Sequence, residues 1–257
     1  MKIQFLPSSF DKLGCASQQQ HLPCFLIDDC VAIDAGSLAL AVTDVQRQNV
    51  RDIIITHPHL DHIATLPIFI DDLFAELRQP VCVYATPETI EALEQHIFNW
   101  KIFPRFNELT NDFGTVLEYK PIELHEKFMV KDLEIIAVPV NHQIPTVGLI
   151  VSSAQKTIAF TSDTAATENF WEFVNDLPNL NALLIECAFP NSRAELANVS
   201  NHLTPQILRR ELAKFKHNCP VLVINLKPMY RSEIVNELLE LSLSQLEVLQ
   251  VGKVYEF

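Results

Sequence analysis

The stretch 56–62 concentrates chemistry-bearing side chains, reading Thr-His-Pro-His-Leu-Asp-His directly after an apolar run. His57 and His59 are two residues apart, so on an extended segment or tight loop both can face one ion. Asp61 and His62 follow where the chain turns into a predicted helix, so they can face a second position beside the first. Histidine is the commonest ligand for zinc-like metals, and a carboxylate suits a two-metal hydrolytic site. We therefore predict a metal site here, in preference to surface histidines on a loop.

Three further polar residues lie where a loop can deliver them to a site. His142 follows the strand predicted at 135–140, and taken alone it is equally compatible with a metal ligand and with a hydrogen-bonded loop histidine. Asp163 comes just after a predicted buried strand, a position suited to a carboxylate that bridges two metals. His202 lies just before a predicted helix, where backbone donors favour an anion such as phosphate.

Two other features each leave two interpretations open. Asp34 ends the strand predicted at 30–34, and it suits either a carboxylate that orients a metal-ligating histidine or a turn-forming aspartate. The aromatic stretch 99–106 contains Trp100 and Phe103. It suits either a lid or pocket wall that stacks on a flat ligand, or aromatic packing of a loop on the core or on a second subunit.

Short apolar runs alternate with helical patterns along the chain. Strands are predicted at 3–6, 24–27, 30–34, 52–56, 81–84, 128–140, 147–152, 157–161, 182–186, 221–224 and 248–251. Helices are predicted from the end of the histidine stretch to Leu77 and at 88–98, 206–215 and 232–241. Strands that repeatedly end in His or Asp, interleaved with helices, favour an α/β (α+β) fold with the site along one edge. With no linker or internal repeat, the length fits one large domain or two tightly joined halves.

Composition excludes several other classes. The net charge of -13 argues against a general nucleic-acid binder, and the five glycines form neither a P-loop nor a dinucleotide fingerprint. The six scattered cysteines form no Cys-x-x-Cys pair and are typical of buried thiols rather than a disulfide framework. The N-terminus lacks the pattern of a signal peptide, and no run approaches the ~18 apolar residues of a membrane span. We therefore expect a cytoplasmic protein with no membrane partner.

The spacing His-x-His-x-Asp-His at 57–62 resembles the metallo-β-lactamase superfamily, and His142 and Asp163 fall in order where that family has its next ligands. The resemblance covers nearly the whole chain. It implies a metallo-β-lactamase-like αββα sandwich, with mixed sheets and with helices on the outer faces. It also implies a single hydrolase domain spanning 1–257.

Within the superfamily, the chain is most similar to the class II 3',5'-cyclic-nucleotide phosphodiesterases. The similarity lies in the stretches 59–63, 86–93, 96–100, 185–187, 202–205 and 226–228. One position departs from the pattern, because such phosphodiesterases usually have a histidine, the last ligand of the second metal, where this chain has Asn225. An amide oxygen is a poorer ligand than imidazole for a zinc-like ion. The second metal would therefore bind weakly, be another metal, or depend on water to complete its shell.

The resemblance implies that each of two ions has its own ligands, namely His57, His59 and His142 for the first and Asp61, His62 and Asn225 for the second. Asp163 would bridge the two. A metal-bound hydroxide would convert cAMP or cGMP to the nucleoside 5'-monophosphate. Asp61 could also orient that hydroxide, and His202 would protonate the departing ribose oxygen. Alternatively, His202 replaces the missing histidine as a metal ligand.

The expected cofactors are two divalent ions, zinc first, with manganese or iron as alternatives. The expected partner is a small cyclic nucleotide, with no nucleic acid, and a homodimer is plausible by family resemblance. One rival is another hydrolase on the same scaffold, such as a tRNA 3'-processing nuclease, a lactamase or a thioesterase. A rival of a different class is a non-catalytic binding protein whose second metal site is impaired by Asn225.

Overall fold

A computed structural model describes residues 1–257 as two compact units. Unit 1 comprises Met1–Glu123 and Val251–Glu256, and unit 2 comprises Leu124–Gln250 with Phe257. Each unit has its own seven-stranded sheet, and each has its own apolar core. Both sheets mix parallel and antiparallel pairs, as the sequence predicts for an α/β fold. The single hydrolase domain stays a prediction.

The sheet of unit 1 is built from seven strands: β1 (Lys2–Phe5), β2 (Phe25–Ile27), β3 (Val31–Ile33), β4 (Asp52–Ile54), β5 (Val81–Ala85), β8 (Leu117–Pro121) and β16 (Val254–Glu256). Their order is β16-β1-β2-β3-β4-β5-β8, and β6 (Thr110–Asn111) and β7 (Gly114–Thr115) form a separate small hairpin. The pairs β3–β4, β4–β5 and β5–β8 are parallel. The carboxyl ends of β3 and β4 therefore lie at the same edge of the sheet.

Five α-helices belong to unit 1: α1 (Leu38–Ala41), α2 (Asp44–Asn49), α3 (Leu60–Ile63), α4 (Leu66–Leu73) and α5 (Pro87–His96). The helix predicted to reach Leu77 is thus two helices, α3 and α4. At α5 the hydroxyl of Thr86 accepts a hydrogen bond from the backbone N–H of Thr89, and Pro87 begins the helix. A 3-10 helix occupies Phe106–Glu108.

The aromatic stretch of unit 1 divides between core and surface. The ring of Phe103 lies 5.8 Å from that of Phe106, which is buried in the core of the unit. Trp100 is 56% exposed, and its indole nitrogen donates to the carboxylate of Glu108 at 3.2 Å. Packing on the core therefore accounts for Phe103, whereas Trp100 lies at the surface.

The sheet of unit 2 is built from β9 (Lys127–Val130), β10 (Leu133–Pro139), β11 (Val147–Ser152), β12 (Thr157–Phe160), β13 (Ala182–Glu186), β14 (Val221–Ile224) and β15 (Leu246–Val248). The order is β15-β14-β13-β12-β11-β10-β9, parallel from β12 to β15. Its helices are α6 (Asn169–Asn175), α7 (Ala194–Val199), α8 (Pro205–Leu212) and α9 (Arg231–Glu240), with 3-10 turns at Asn191–Arg193 and Pro228–Tyr230. The carboxyl ends of β12, β13 and β14 share one edge of this sheet.

Two further expectations meet the structure here. The strand predicted near 248–251 is present but begins two residues and ends three residues earlier, because β15 is Leu246–Val248 and the chain then turns through Gly252, whose φ is +83°. The apolar residues Leu249 and Val251 are buried without joining a strand. All six cysteines are free thiols, as predicted, but Cys24, Cys187 and Cys219 are buried whereas Cys15 is exposed and Cys30 and Cys82 are partly exposed. None of the helices has both the length and the apolar character that crossing a membrane requires.

Candidate metal-binding residues

The histidine stretch of unit 1 lies directly after β4, on the turn into α3. His59 is the residue before the helix, and Asp61 and His62 lie within it. The ring centroid of His57 lies 4.8 Å from that of His59 and 4.1 Å from that of His62. His57 and His62 are fully buried, whereas His59 is half-buried. The structure thus brings the three imidazoles of the motif together.

Asp34, at the end of β3, orients two of these imidazoles. Its Oδ2 lies 2.7 Å from Nδ1 of His62, and its Oδ1 accepts from the backbone N–H of Thr56 at 2.9 Å. The hydroxyl of Thr56 also contacts Asp34 and lies 3.0 Å from Nδ1 of His57. Asp34 is completely buried and has a φ of +59°. Both interpretations of Asp34 therefore apply, because one residue makes the turn and orients His62.

Gly36 permits the close approach between this turn and α3. A Cβ at Gly36 would lie 2.1 Å from the carbonyl oxygen of Asp61 and 2.6 Å from that of Pro23. The neighbouring Ala35 donates its N–H to the carbonyl of His62 at 2.7 Å. Because only glycine fits between these backbone segments, Gly36 sets how near Asp34 comes to His62.

Unit 2 contributes His142, Asp163 and His202, whose potential ligand atoms all lie within 4.8 Å of one another. His142 follows β10, Asp163 follows β12, and His202 lies between α7 and α8. Asp163 is 4% exposed and His202 is 7% exposed. Three separate connections therefore converge, and the sequence expectation that loops deliver these residues to one place is met within this unit.

Glu186, the last residue of β13, holds His202 in place. Its Oε1 lies 2.7 Å from Nδ1 of His202 and accepts from the backbone N–H of Thr164 at 3.0 Å. Its Oε2 accepts from the N–H groups of Ala188 at 2.9 Å and Leu203 at 3.3 Å. The carboxylate is completely buried. Sequence reasoning assigned no role to Glu186, although a buried strand that ends on an acid was the available signal.

The two histidines of unit 2 differ in their electrostatic surroundings. Burial lowers the pKa of His142, against a smaller opposing effect of Asp163. Burial also disfavours the charged form of His202, but the charge of Glu186 and its hydrogen bond outweigh it, so the pKa of His202 is raised. His202 is thus the histidine of this pair that more readily carries a proton.

Asn225, directly after β14, contacts Asp163. Its Nδ2 donates to Oδ1 of Asp163 at 2.7 Å, while its own Oδ1 is buried and accepts no hydrogen bond from the protein. The backbone of Asn225 has a φ of +56°. The departure from the family pattern therefore lies in direct contact with the carboxylate predicted to bridge the metals.

Four histidines share one feature that fits metal binding, namely that Nδ1 is held at 2.7–3.0 Å by an oxygen: His57 by Thr56, His62 by Asp34, His142 by the carbonyl of Asn201 and His202 by Glu186. A carboxylate or carbonyl can only accept, and the hydroxyl of Thr56 donates its own proton to Asp34, so Nδ1 carries the proton in all four residues. In the neutral imidazole the lone pair then lies on Nε2. Metal-ligating histidines are oriented in this way. The donor chemistry of both units thus fits divalent metal ions.

Comparison with known proteins identifies the family of this chain. The sequence pattern of the β-lactamase superfamily domain matches residues 25–217. The chain belongs to the β-lactamase superfamily. The family fold implies divalent metal ions, which the His and Asp residues described above suit. Membership in the β-lactamase superfamily thus identifies the chain as having a metal-dependent hydrolase fold.

Two curated relatives and one solved structure are similar to this member of the β-lactamase superfamily. A probable 3',5'-cyclic-nucleotide phosphodiesterase of Yersinia pestis is 24% identical over 239 residues, covering 78% of this chain and 66% of the relative. The 3',5'-cyclic-nucleotide phosphodiesterase 1 of Saccharomyces cerevisiae is 28% identical over 191 residues, covering 65% and 51%. The chain therefore matches between half and two thirds of the length of these relatives.

The crystal structure of unliganded yeast PDE1 has a TM-score of 0.77 to this chain at 18% identity, with 98% of each chain covered. At that identity the match concerns the fold. The predicted metallo-β-lactamase-like fold is thereby confirmed.

Proposed function

We propose that the protein is a binuclear metal-dependent phosphodiesterase that hydrolyses 3',5'-cyclic nucleotides to nucleoside 5'-monophosphates. The observation that carries the metal part is the anchoring of His57, His62 and His142 through Nδ1, which leaves Nε2 as the ligand atom. The substrate part is supported by similarity to relatives named as cyclic-nucleotide phosphodiesterases. If the protein hydrolysed a different substrate, the histidine contacts would still support metal binding, but the similarity to these relatives would no longer indicate the substrate.

In this proposal the ligands are those that the family pattern implies: His57, His59 and His142 for one ion, Asp61 and His62 for the other, and Asp163 for both. When bound, the ions supply an activated water as the nucleophile and neutralise charge on the phosphoryl oxygens. We propose zinc in preference to manganese or iron, because zinc favours imidazole nitrogen as a ligand. The protein's own part is to hold the ligands rigidly, which Asp34 and Thr56 do in unit 1.

His202 is the proposed proton donor to the departing ribose oxygen. Its Nδ1 is held by the buried carboxylate of Glu186 at 2.7 Å, so Nε2 is the atom that would deliver the proton. The raised pKa of His202 favours the protonated form that a general acid needs. Asp61 is the proposed group that orients the attacking water.

The first experiment measures turnover of 3',5'-cAMP and 3',5'-cGMP by the purified protein, with zinc or manganese supplied and with a chelator as control. Release of the 5'-monophosphate that depends on metal is the expected result. Turnover of bis-p-nitrophenyl phosphate alone would move the function to another phosphodiester. If neither substrate were turned over, a binding role would replace catalysis.

The role of His202 is tested by His202→Ala, with metal content measured beside the rate. We expect the variant to retain its metal and to lose ~10²–10⁴-fold in rate, the usual contribution of a general acid. Loss of bound metal would instead make His202 a ligand. His21→Ala, at an exposed histidine of unit 1, is the matched control and should change neither quantity.

A further inference from the structure

The amide of Asn225 is oriented by its neighbour. Its Nδ2 donates to Oδ1 of Asp163 at 2.7 Å, and the reverse orientation would place two oxygen atoms against each other. The side chain therefore presents Oδ1 as an acceptor beside the carboxylate. The left-handed backbone, with a φ of +56°, fits asparagine better than most residues.

That oxygen is buried and has no hydrogen-bond donor from the protein. Leaving a buried carbonyl oxygen without a partner is costly, so native proteins rarely keep one that has no use. Two kinds of group could satisfy an oxygen beside a carboxylate: a hydrogen-bond donor or a cation. The neighbours of Asp163 include His142 and His202, whose ligand atoms lie within 4.8 Å of its own, so the surroundings already suit a cation.

The nature of the oxygen decides which cation fits. Carboxylate and carbonyl oxygens suit Mn²⁺, Mg²⁺ and Ca²⁺, whereas imidazole and thiolate suit Zn²⁺. With an amide oxygen at this position, the preference for zinc over manganese is smaller than it would be with an imidazole there.

We propose that Asn225 binds the second ion through Oδ1 and narrows the affinity advantage that Zn²⁺ has over Mn²⁺ at that position. The inference rests on the proposed binuclear metal site but not on the substrate. The protein would then accept a mixed pair, with zinc bound by the imidazole-rich ligands and manganese bound beside Asp163 and Asn225.

The experiment titrates protein already loaded with one equivalent of Zn²⁺ with Mn²⁺ alone, following the electron paramagnetic resonance signal of unbound Mn²⁺, and then adds further Zn²⁺ as competitor. We expect one equivalent of Mn²⁺ to bind, and the competition gives the ratio of the Zn²⁺ affinity to the Mn²⁺ affinity. Asn225→His should raise that ratio by ~10–100-fold, because imidazole favours Zn²⁺. Asn225→Gly, which suits the left-handed backbone, should weaken Mn²⁺ binding by ~10–100-fold, as removal of a metal-supporting group typically does.

Ser242→Gly is the matched control, because Ser242 is an exposed residue of the same unit at a φ of +52°. It should leave Mn²⁺ binding unchanged. Unaltered Mn²⁺ affinity in Asn225→Gly, or an equal ratio of Zn²⁺ to Mn²⁺ affinity in the wild type and in Asn225→His, would overturn the inference. Because the readout is binding, a protein inactive on cyclic nucleotides could still confirm it, and an active one could still refute it.

Discussion

The two units supply their candidate ligands in opposite ways. In unit 1 the three histidines and Asp61 lie within six residues on one turn, and a single carboxylate, Asp34, holds His62 directly and His57 through Thr56. In unit 2, His142, Asp163 and His202 come from three separate connections, and each has its own partner: the carbonyl of Asn201, the amide of Asn225 and the carboxylate of Glu186, respectively. A local motif needs one well-placed turn, whereas a dispersed set needs a correctly registered sheet. The two sets should therefore respond differently to substitution.

The largest expected effect tests whether the dispersed set is essential. Asp163→Ala should remove one or more bound metal equivalents and lower phosphodiesterase activity by at least ~10²–10³-fold, the cost of losing a preorganised electrostatic group. Metal analysis after dialysis and the cAMP rate are the measurements. An Asp163→Ala protein with full activity and full metal content would refute the bridging role.

The supporting carboxylates offer a matched pair, one in each unit. Asp34→Asn should weaken metal binding ~10–100-fold, because Asp34 orients the candidate ligand His62. Glu186→Gln should lower the rate by a similar factor while leaving metal content close to wild type, because it holds the proposed proton donor His202. Metal content and initial rate are measured for both variants. If both substitutions changed metal content and rate to the same extent, the two carboxylates would not have the different roles proposed here.

A smaller effect tests the turn beneath the motif of unit 1. Gly36→Ala would place a methyl group 2.1 Å from the carbonyl oxygen of Asp61, so the turn and α3 must separate. Overpacking of this kind costs ~1–3 kcal/mol in the free energy of unfolding, measured by urea denaturation. Gly14→Ala is the comparison: a Cβ there meets no atom within 4 Å, so any cost at Gly14 comes from its φ of +78°. Gly36 does not have a positive φ, so unchanged stability in Gly36→Ala would show that the close approach does not constrain the turn.

The smallest effect is a difference between two titrations within unit 2. In chelator-treated protein, His202 should titrate at a higher pH than His142, because burial lowers the pKa of His142 while Glu186 raises that of His202. NMR of the imidazole protons against pH measures both. Glu186→Gln should bring the pKa of His202 down towards that of His142. If the pKa of His202 were unchanged in that variant, Glu186 would not be the cause of its raised value.

Sequence alone located most of the candidate site in unit 1, because its chemistry is local. The spacing from His57 to His62 is a property of one short segment, and the apolar run before it predicted the strand that carries it. The α/β class followed from the alternation of strand and helix patterns. The sequence marks Asp34 as a candidate carboxylate that orients a metal-ligating histidine. Which histidine it contacts depends on the pairing of β3 with β4.

The tertiary structure decided what depends on residues far apart in the chain. Glu186 contacts His202 because the end of β13 lies beside the loop before α8, and no local pattern encodes that pairing. The contact between Asn225 and Asp163 likewise arises from the ends of β14 and β12, which share one sheet edge across β13. The buried residues Leu249 and Val251 shifted the predicted bounds of β15, because apolar periodicity reports burial and does not show where a strand ends. Sequence specifies which groups are available, and the register of the sheet determines which of them meet.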